Sequence, residues 1–481
     1  MIFNSLTYLL LLVIVVTLYW VLPYRARLLL IVSASLTFYG FWRIEFLPVL
    51  LLSTFVDWWV TQKMRGQSER NRFYLLLISL LVNLGLLFYF KYLIFFADNA
   101  IGFANLLGAE IDPIALKIIL PLGISFYTFQ TISYTVDVYR RFIEPERDFV
   151  LYACYVTFFP QLVAGPVLRA AEVIHQFANR AAFSSEHLFV GLRRILYGLF
   201  LKVVLADNIA PLVDAGYSMP LENMSALDVW TLAFLFGFQI YFDFSAYSHI
   251  AIGSARLMGI NFPENFNFPY LASSPKDFWR RWHISLSSWI RDYLYLPLAG
   301  VKVHDRSTGG LSAATAERKH TKPLFLSWAI MGLWHGANWT FLLWGIFHAV
   351  VISVYRFTEP RTRSLGKQIR WWGGIAITLP VMMLAWVPFR AESVVDAFVM
   401  WEKIFEPSAY LWLGMRENTY LITALILFGV FFTYAVKEKI MPKVQTFRFG
   451  IALANISAVA VMTALVIIFL QPINQFIYFQ F

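Results

Sequence analysis

Long apolar stretches alternate with short polar breaks along the whole chain. Apolar runs cover 6–22, 27–41, 46–62, 73–96, 114–139, 187–206 and 229–258, then 323–335, 338–357, 371–389, 419–436 and 450–471. Runs near twenty residues suit helices that cross a hydrocarbon core about 30 Å thick. The pattern predicts an all-α fold: a polytopic integral membrane protein with about eleven transmembrane helices. These are expected to form a single membrane domain over 1–481.

Two stretches depart from the repeat. Residues 150–164 are apolar but too short for a full span, and they end in Phe159, Pro160, Gln161, Leu162, Val163, Ala164, Gly165 and Pro166. Two prolines and a glycine interrupt a helix, so a re-entrant segment is expected, enclosed by protein. The run 323–335 is also short, and 338–357 follows almost at once. Both outer flanks are basic. The pair therefore reads as an intramembrane hairpin with Trp334, His335 and Gly336 near its tip.

The loops carry a charge code. Lys63, Arg65, Arg70 and Arg72, and later Arg140 and Arg141, alternate with the acidic stretches 97–113 and 207–228. By the positive-inside rule both chain ends are expected outside the cytoplasm. Residues 276–296 read as a basic, tryptophan-rich helix in the cytoplasmic interface. Phe278, Trp282, Ser285, Trp289 and Tyr293 share one face, and Arg280, Ser287 and Arg291 another. A second interfacial stretch is expected at 391–406.

Composition agrees: 59% of residues are hydrophobic and 14% charged, with mean hydropathy +0.62. The net charge of +10 is explained by basic cytoplasmic loops, so nucleic acid is not an implied partner. One cysteine, Cys154, excludes an internal disulfide and a cysteine metal cage. Its apolar setting reads as packing. The first basic residue is Arg25, so a cleavable leader with a charged start is not expected. The chain shows no nucleotide-binding glycine loop, zinc spacing or internal repeat. The missing inverted repeat argues against most designs for a transporter of an acyl carrier or polysaccharide, the main non-enzymatic alternative.

A few residues carry candidate chemistry. His335 sits in an apolar run, where the charged imidazolium is disfavoured. A neutral ring there is suited to general-base work; the plain alternative is a hydrogen-bonded structural histidine. His283 lies in the basic helix, where Arg280, Arg281 and Arg291 are candidate contacts for the phosphates of a donor or lipid. For these arginines an interfacial anchor is the plainer reading. Asp243 is a carboxylate within a span. It is expected to orient a histidine or pair with an arginine, either for function or as a structural bridge. Asn338 either hydrogen-bonds the site or caps the following helix.

Five motifs then bring a resemblance. They are Pro121 to Gln130, Phe159 to Pro166, Tyr241 to Gly253, Phe278 to Tyr295, and Trp334, His335 and Gly336. Together they resemble the membrane-bound O-acyltransferase family, in its bacterial alginate O-acetyltransferase-type branch. The likeness runs nearly the whole chain, with the motif core about 114–357 and an aromatic tail at 474–481. It implies a ring of helices around a central funnel, with His335 as the essential histidine and His283 as the second family position; Trp334, Asp243 and Asn338 are the supporting candidates from the residues themselves. It implies no resident cofactor. Acetyl-CoA would enter as donor substrate from the cytoplasm. The acetyl group would leave to an extracytoplasmic SGNH-type acetyltransferase partner that modifies an exopolysaccharide such as alginate or cellulose in the cell envelope. A lipid or protein acyltransferase is the neighbouring alternative. Tyr478, in the terminal Phe476 to Phe481, resembles the acyl-accepting tyrosine of short tails used in teichoic acid D-alanylation. It becomes a candidate acyl acceptor; an aromatic belt is the alternative for this tail.

Overall fold

The computed structural model describes the chain except for residues 1–2, 113, 115–116, 302–319, 363–365, 441–447, 472–475 and 478–481. The basic loop 302–319, the centre of the last basic loop and Tyr478 therefore lie outside the described residues. Every regular element among the described residues is helical. Among the described residues, six helices are long and apolar enough to cross a membrane: Ile44–Lys63, Glu69–Leu106, Ala226–Leu257, Trp339–Arg361, Lys367–Arg390 and Glu417–Glu438. Leu6–Val21 and Leu453–Ile468 are apolar but shorter.

The expected spans differ from these for local reasons. The run 114–139 is helical only over Ile124–Tyr139. Gly123 starts it with φ +73°, and a Cβ there would lie 2.5 Å from the Leu162 carbonyl oxygen. Only glycine tolerates both the left-handed turn and that approach. The run 187–206 splits into Ser185–Leu199 and a π-helical segment, Phe200–Ala206. The run 73–96 and most of the expected acidic loop merge into one 38-residue helical stretch. A π-turn at Phe88–Tyr92 interrupts it.

The core helix is Ala226–Leu257, 32 residues long. It packs on Ser185–Leu199 through reciprocal glycines. A Cβ on Gly191 would meet the Gly253 carbonyl, and one on Gly253 would meet the Gly191 carbonyl. Small residues at such a seam let two backbones approach closely. The hairpin uses the same device. Thr321–His335 and Trp339–Thr362 run antiparallel. Gly332 faces the Phe341 carbonyl and Gly345 faces the Trp328 carbonyl.

The broken segment after Phe149–Thr157 is enclosed, as irregular backbone at membrane depth requires. Residues 151–170 are all buried. Ser35 Oγ accepts from Phe159 N–H at 3.1 Å, and Ser285 Oγ accepts from Val167 N–H at 3.0 Å.

One expectation is corrected. Residues 276–296 are not one interfacial helix. They form Pro275–Trp279, Ile284–Ile290 and a π-turn at Arg291–Tyr295. The break falls at His283, whose φ is +41°. Trp282, His283 and Trp289 are buried in the protein, so most of the stretch forms interior structure, with Arg280 and Arg291 left exposed.

Candidate active site

His335 is the last residue of its helix, and Gly336 continues in extended conformation. Gly336 is needed there because a Cβ would run into the Phe341 ring. His335 is 6% exposed. Its ring lies 4.9 Å from Trp334, 4.9 Å from Trp344 and 5.2 Å from Phe389, centroid to centroid. Trp334 stacks on Phe129 at 5.1 Å, and Phe129 on Trp289 at 4.0 Å.

A helix end in an apolar setting leaves carbonyls without helical partners. Here the π-turn in Glu69–Leu106 supplies them. Lys91 Nζ donates to the Trp334 carbonyl at 2.5 Å and to the His335 carbonyl at 3.0 Å. Tyr92 Oη donates to the Leu333 carbonyl at 3.0 Å. A cation at a helix C-terminus is favourable. Sequence reasoning missed Lys91 because it sits inside an apolar run; a lone lysine at that depth was the available signal.

His283 is wholly buried, and burial holds its imidazole down at about 3. Its Nδ1 lies 3.1 Å from Asn265 Oδ1. That oxygen also accepts from Ser285 N–H at 3.3 Å and Ser285 Oγ at 2.9 Å. A backbone N–H can only donate, so the Asn265 atom is the oxygen and His283 carries its proton on Nδ1. Nε2 keeps its lone pair and has no hydrogen-bond partner among the described residues. The left-handed backbone at His283 is the kind of local strain that clusters at functional sites. Phe126 lies between His283 and the neighbour of His335: its ring is 6.4 Å from His283 and 5.6 Å from Trp334. Asn265 was not foreseen. Nor was His348, which is 1% exposed and boxed by Trp279, Trp328 and Trp344.

Asp243 pairs with a lysine; the expected arginine or histidine is not its partner. Its Oδ1 is 2.7 Å from Lys202 Nζ, which also reaches Asp207 at 2.9 Å. Its Oδ2 accepts from the backbone N–H of Ile477 at 2.7 Å. Lys202 lies 4.5 Å from the Phe476 ring centroid. Phe476 and Ile477 are thus held against the ion pair. A cavity of about 630 Å³ opens beside it, lined by Lys202, Asp243, Asn338, Phe389, Arg390 and Ile477 among others. Asn338 also caps the second hairpin helix, its Oδ1 accepting from Thr340 N–H at 3.0 Å.

The arginines divide. Arg281 pairs with Asp277 and Arg291 with Asp292, each within its own stretch. Arg280 is exposed. Asp292 also pairs with Arg169 at 2.7 Å. Burial alone would raise its carboxyl, but Arg291 and Arg169 outweigh it and hold it below the usual range.

The sequence model of "MBOAT, membrane-bound O-acyltransferase family" matches residues 145–389. Similar proteins include "Probable alginate O-acetylase AlgI" of Azotobacter vinelandii, 35% identical over 88% of this chain and 82% of that one. The protein of the same name from Pseudomonas aeruginosa is 38% identical over 81% and 71%. "Peptidoglycan O-acetyltransferase" of Helicobacter pylori is 36% identical over 76% and 71%.

Proposed function

The chain belongs to the membrane-bound O-acyltransferase family and is an acyltransferase, and we propose that it moves acetyl groups across the membrane for O-acetylation of an extracytoplasmic polysaccharide. The donor is a cytoplasmic thioester, acetyl-CoA. The membrane is the inner membrane, with both chain ends on its outer side, and the helices surround a funnel that meets at His335. An SGNH-type partner receives the acetyl group and places it on the polymer. Alginate, cellulose and peptidoglycan are all chemically suitable acceptors.

The chemistry is acyl transfer to a hydroxyl. His335 takes the proton from the acceptor hydroxyl as its oxygen attacks the thioester carbonyl. The carbon–sulfur bond breaks, and the departing thiolate receives that proton back from His335. An oxygen ester and a free thiol remain. His283, with Nε2 unprotonated in a dry pocket, accepts a hydrogen bond from an N–H of the donor arm and orients the thioester. The first acceptor is the Tyr478 hydroxyl, and the partner's nucleophile then attacks the resulting ester.

The observation that most supports this reading is that Phe389 touches the His335 ring and lines the cavity that also receives Ile477. Tyr478 is the next residue. The test is peptide mass analysis of cells lacking the partner. An O-acetyl group on Tyr478 is expected. Its absence, with full polymer acetylation by Tyr478→Phe, removes the tail from the pathway.

A further inference from the structure

A second cavity, of about 370 Å³, lies away from the acyl-transfer site, between Ser185–Leu199, Ala226–Leu257 and Arg448–Ile468. Its lining includes Arg193, Arg194, His249, Asn455, Val459 and Met462. Arg193, His249 and Asn455 each lie roughly 10–12 Å along their helices from one common end, so they sit at one level.

The polar groups at that level are donors. Arg194 is occupied: its guanidinium contacts Glu264, and its Nε–H donates to His249 Nδ1 at 3.0 Å. That bond fixes the tautomer of His249. Since Nδ1 accepts, the ring proton sits on Nε2. Arg193 is exposed and makes no hydrogen bond or ion pair among the described residues. It neighbours Leu192, which is 57% exposed, so it borders the lipid. An arginine on such a face reaches along apolar surface for a phosphate. Beyond Asn455, the next turns of its helix present Val459 and Met462 to the same cavity. The groove is therefore cationic at one end and apolar at the other.

We propose that this groove holds one anionic phospholipid of the cytoplasmic leaflet, of the phosphatidylglycerol type. Arg193, the His249 Nε2–H and the Asn455 amide hold the phosphate, and an acyl chain lies along Val459 and Met462. The leaflet follows from the basic residues gathered at this end, Arg180 and Arg256 among them. The site is independent of the acyl-transfer chemistry.

The test is lipid retention by the purified full chain in neutral detergent micelles doped with phosphatidylglycerol, phosphatidylcholine or inorganic phosphate. Bound lipid is counted by native mass spectrometry, and the thermal midpoint is read alongside. Phosphatidylglycerol is expected to bind at one tightly retained site and raise the midpoint. Phosphatidylcholine and inorganic phosphate are expected to do neither. Arg193→Gln is expected to weaken retention roughly fivefold, the weight of one basic residue at an anionic surface. Asn455→Leu should weaken it by a smaller factor while leaving acetyl transfer unchanged. Equal retention of phosphatidylcholine, or unchanged retention in both variants, overturns the proposal. Equal stabilisation by inorganic phosphate overturns the lipid and leaves a simple anion site.

Discussion

The ammonium of Lys91 donates to the backbone carbonyl of His335 at 3.0 Å, joining the long Glu69–Leu106 helix to the residue proposed as base. A π-turn makes this possible by redirecting Lys91 towards the hairpin tip. Lys91→Met should lower turnover roughly 10- to 100-fold, because it lets a reacting group drift from its productive position. Lys91→Arg keeps the charge and the donors and should stay within about threefold of the parent. The check is donor turnover on protein that elutes as a single species. Equal activity of Lys91→Met and the parent would remove the lysine from the site.

Asp243 and Lys202 form an almost fully buried pair, so losing one partner leaves an uncompensated charge. Lys202→Met or Asp243→Asn should each cost about 3–5 kcal/mol. The double replacement should cost less than the sum, because each single change already breaks the same contact. Thermal unfolding of the four proteins in detergent gives the comparison. Asp243→Asn should also loosen Ile477 and open the chain end to carboxypeptidase, since Lys202 and the Ile477 N–H then compete for a single side-chain oxygen.

Gly332, in the hairpin, and Gly373, in the next helix, should respond to alanine in opposite ways. A Cβ on Gly332 runs into the Phe341 carbonyl, whereas Gly373 has open space around it. Gly332→Ala should destabilise by about 1–3 kcal/mol. Gly373→Ala, inside the helix Lys367–Leu384, should be stabilising by about 0.5–1 kcal/mol. The thermal midpoints should move in opposite directions.

Asp292 provides a pH test. Its folded carboxyl titrates below the ordinary value because Arg291 and Arg169 outweigh the effect of burial. A depressed folded value stabilises above the unfolded value, near 3.9, and that contribution is lost as pH falls through the folded value. Asp292→Asn should therefore lower the midpoint at neutral pH, and its deficit should shrink below about pH 4. A deficit that is constant from pH 7 to pH 3 contradicts the charge pairing.

Much of this architecture was legible in the residues. The short run 323–335, followed almost at once by 338–357, marked the hairpin, because basic residues flank the pair on both outer sides. Asn338 was legible as a cap, since its position before Trp339 and its side chain suit that role locally. The break at His283 was not. Its helical periodicity is sound, and the left-handed turn is imposed by Asn265, distant in sequence, and by buried Ser285. Lys91 and Lys202 were hidden for a similar reason. Each is one cation in an apolar run, and its partner is known only once two helices meet. The Asp243 carboxylate was singled out, but its partner choice depended on the π-segment that carries Lys202.

The central claim is that His335 performs the proton transfer. The most direct test is release of free thiol from acetyl-CoA by the purified chain, in vesicles with the partner present, comparing the parent with His335→Ala and His335→Gln. Both variants should fold with an unchanged elution profile and thermal midpoint, still retain the donor, and lose turnover by at least about a hundredfold, as befits loss of a general base. Turnover within a few-fold of the parent in either folded variant would contradict the mechanism.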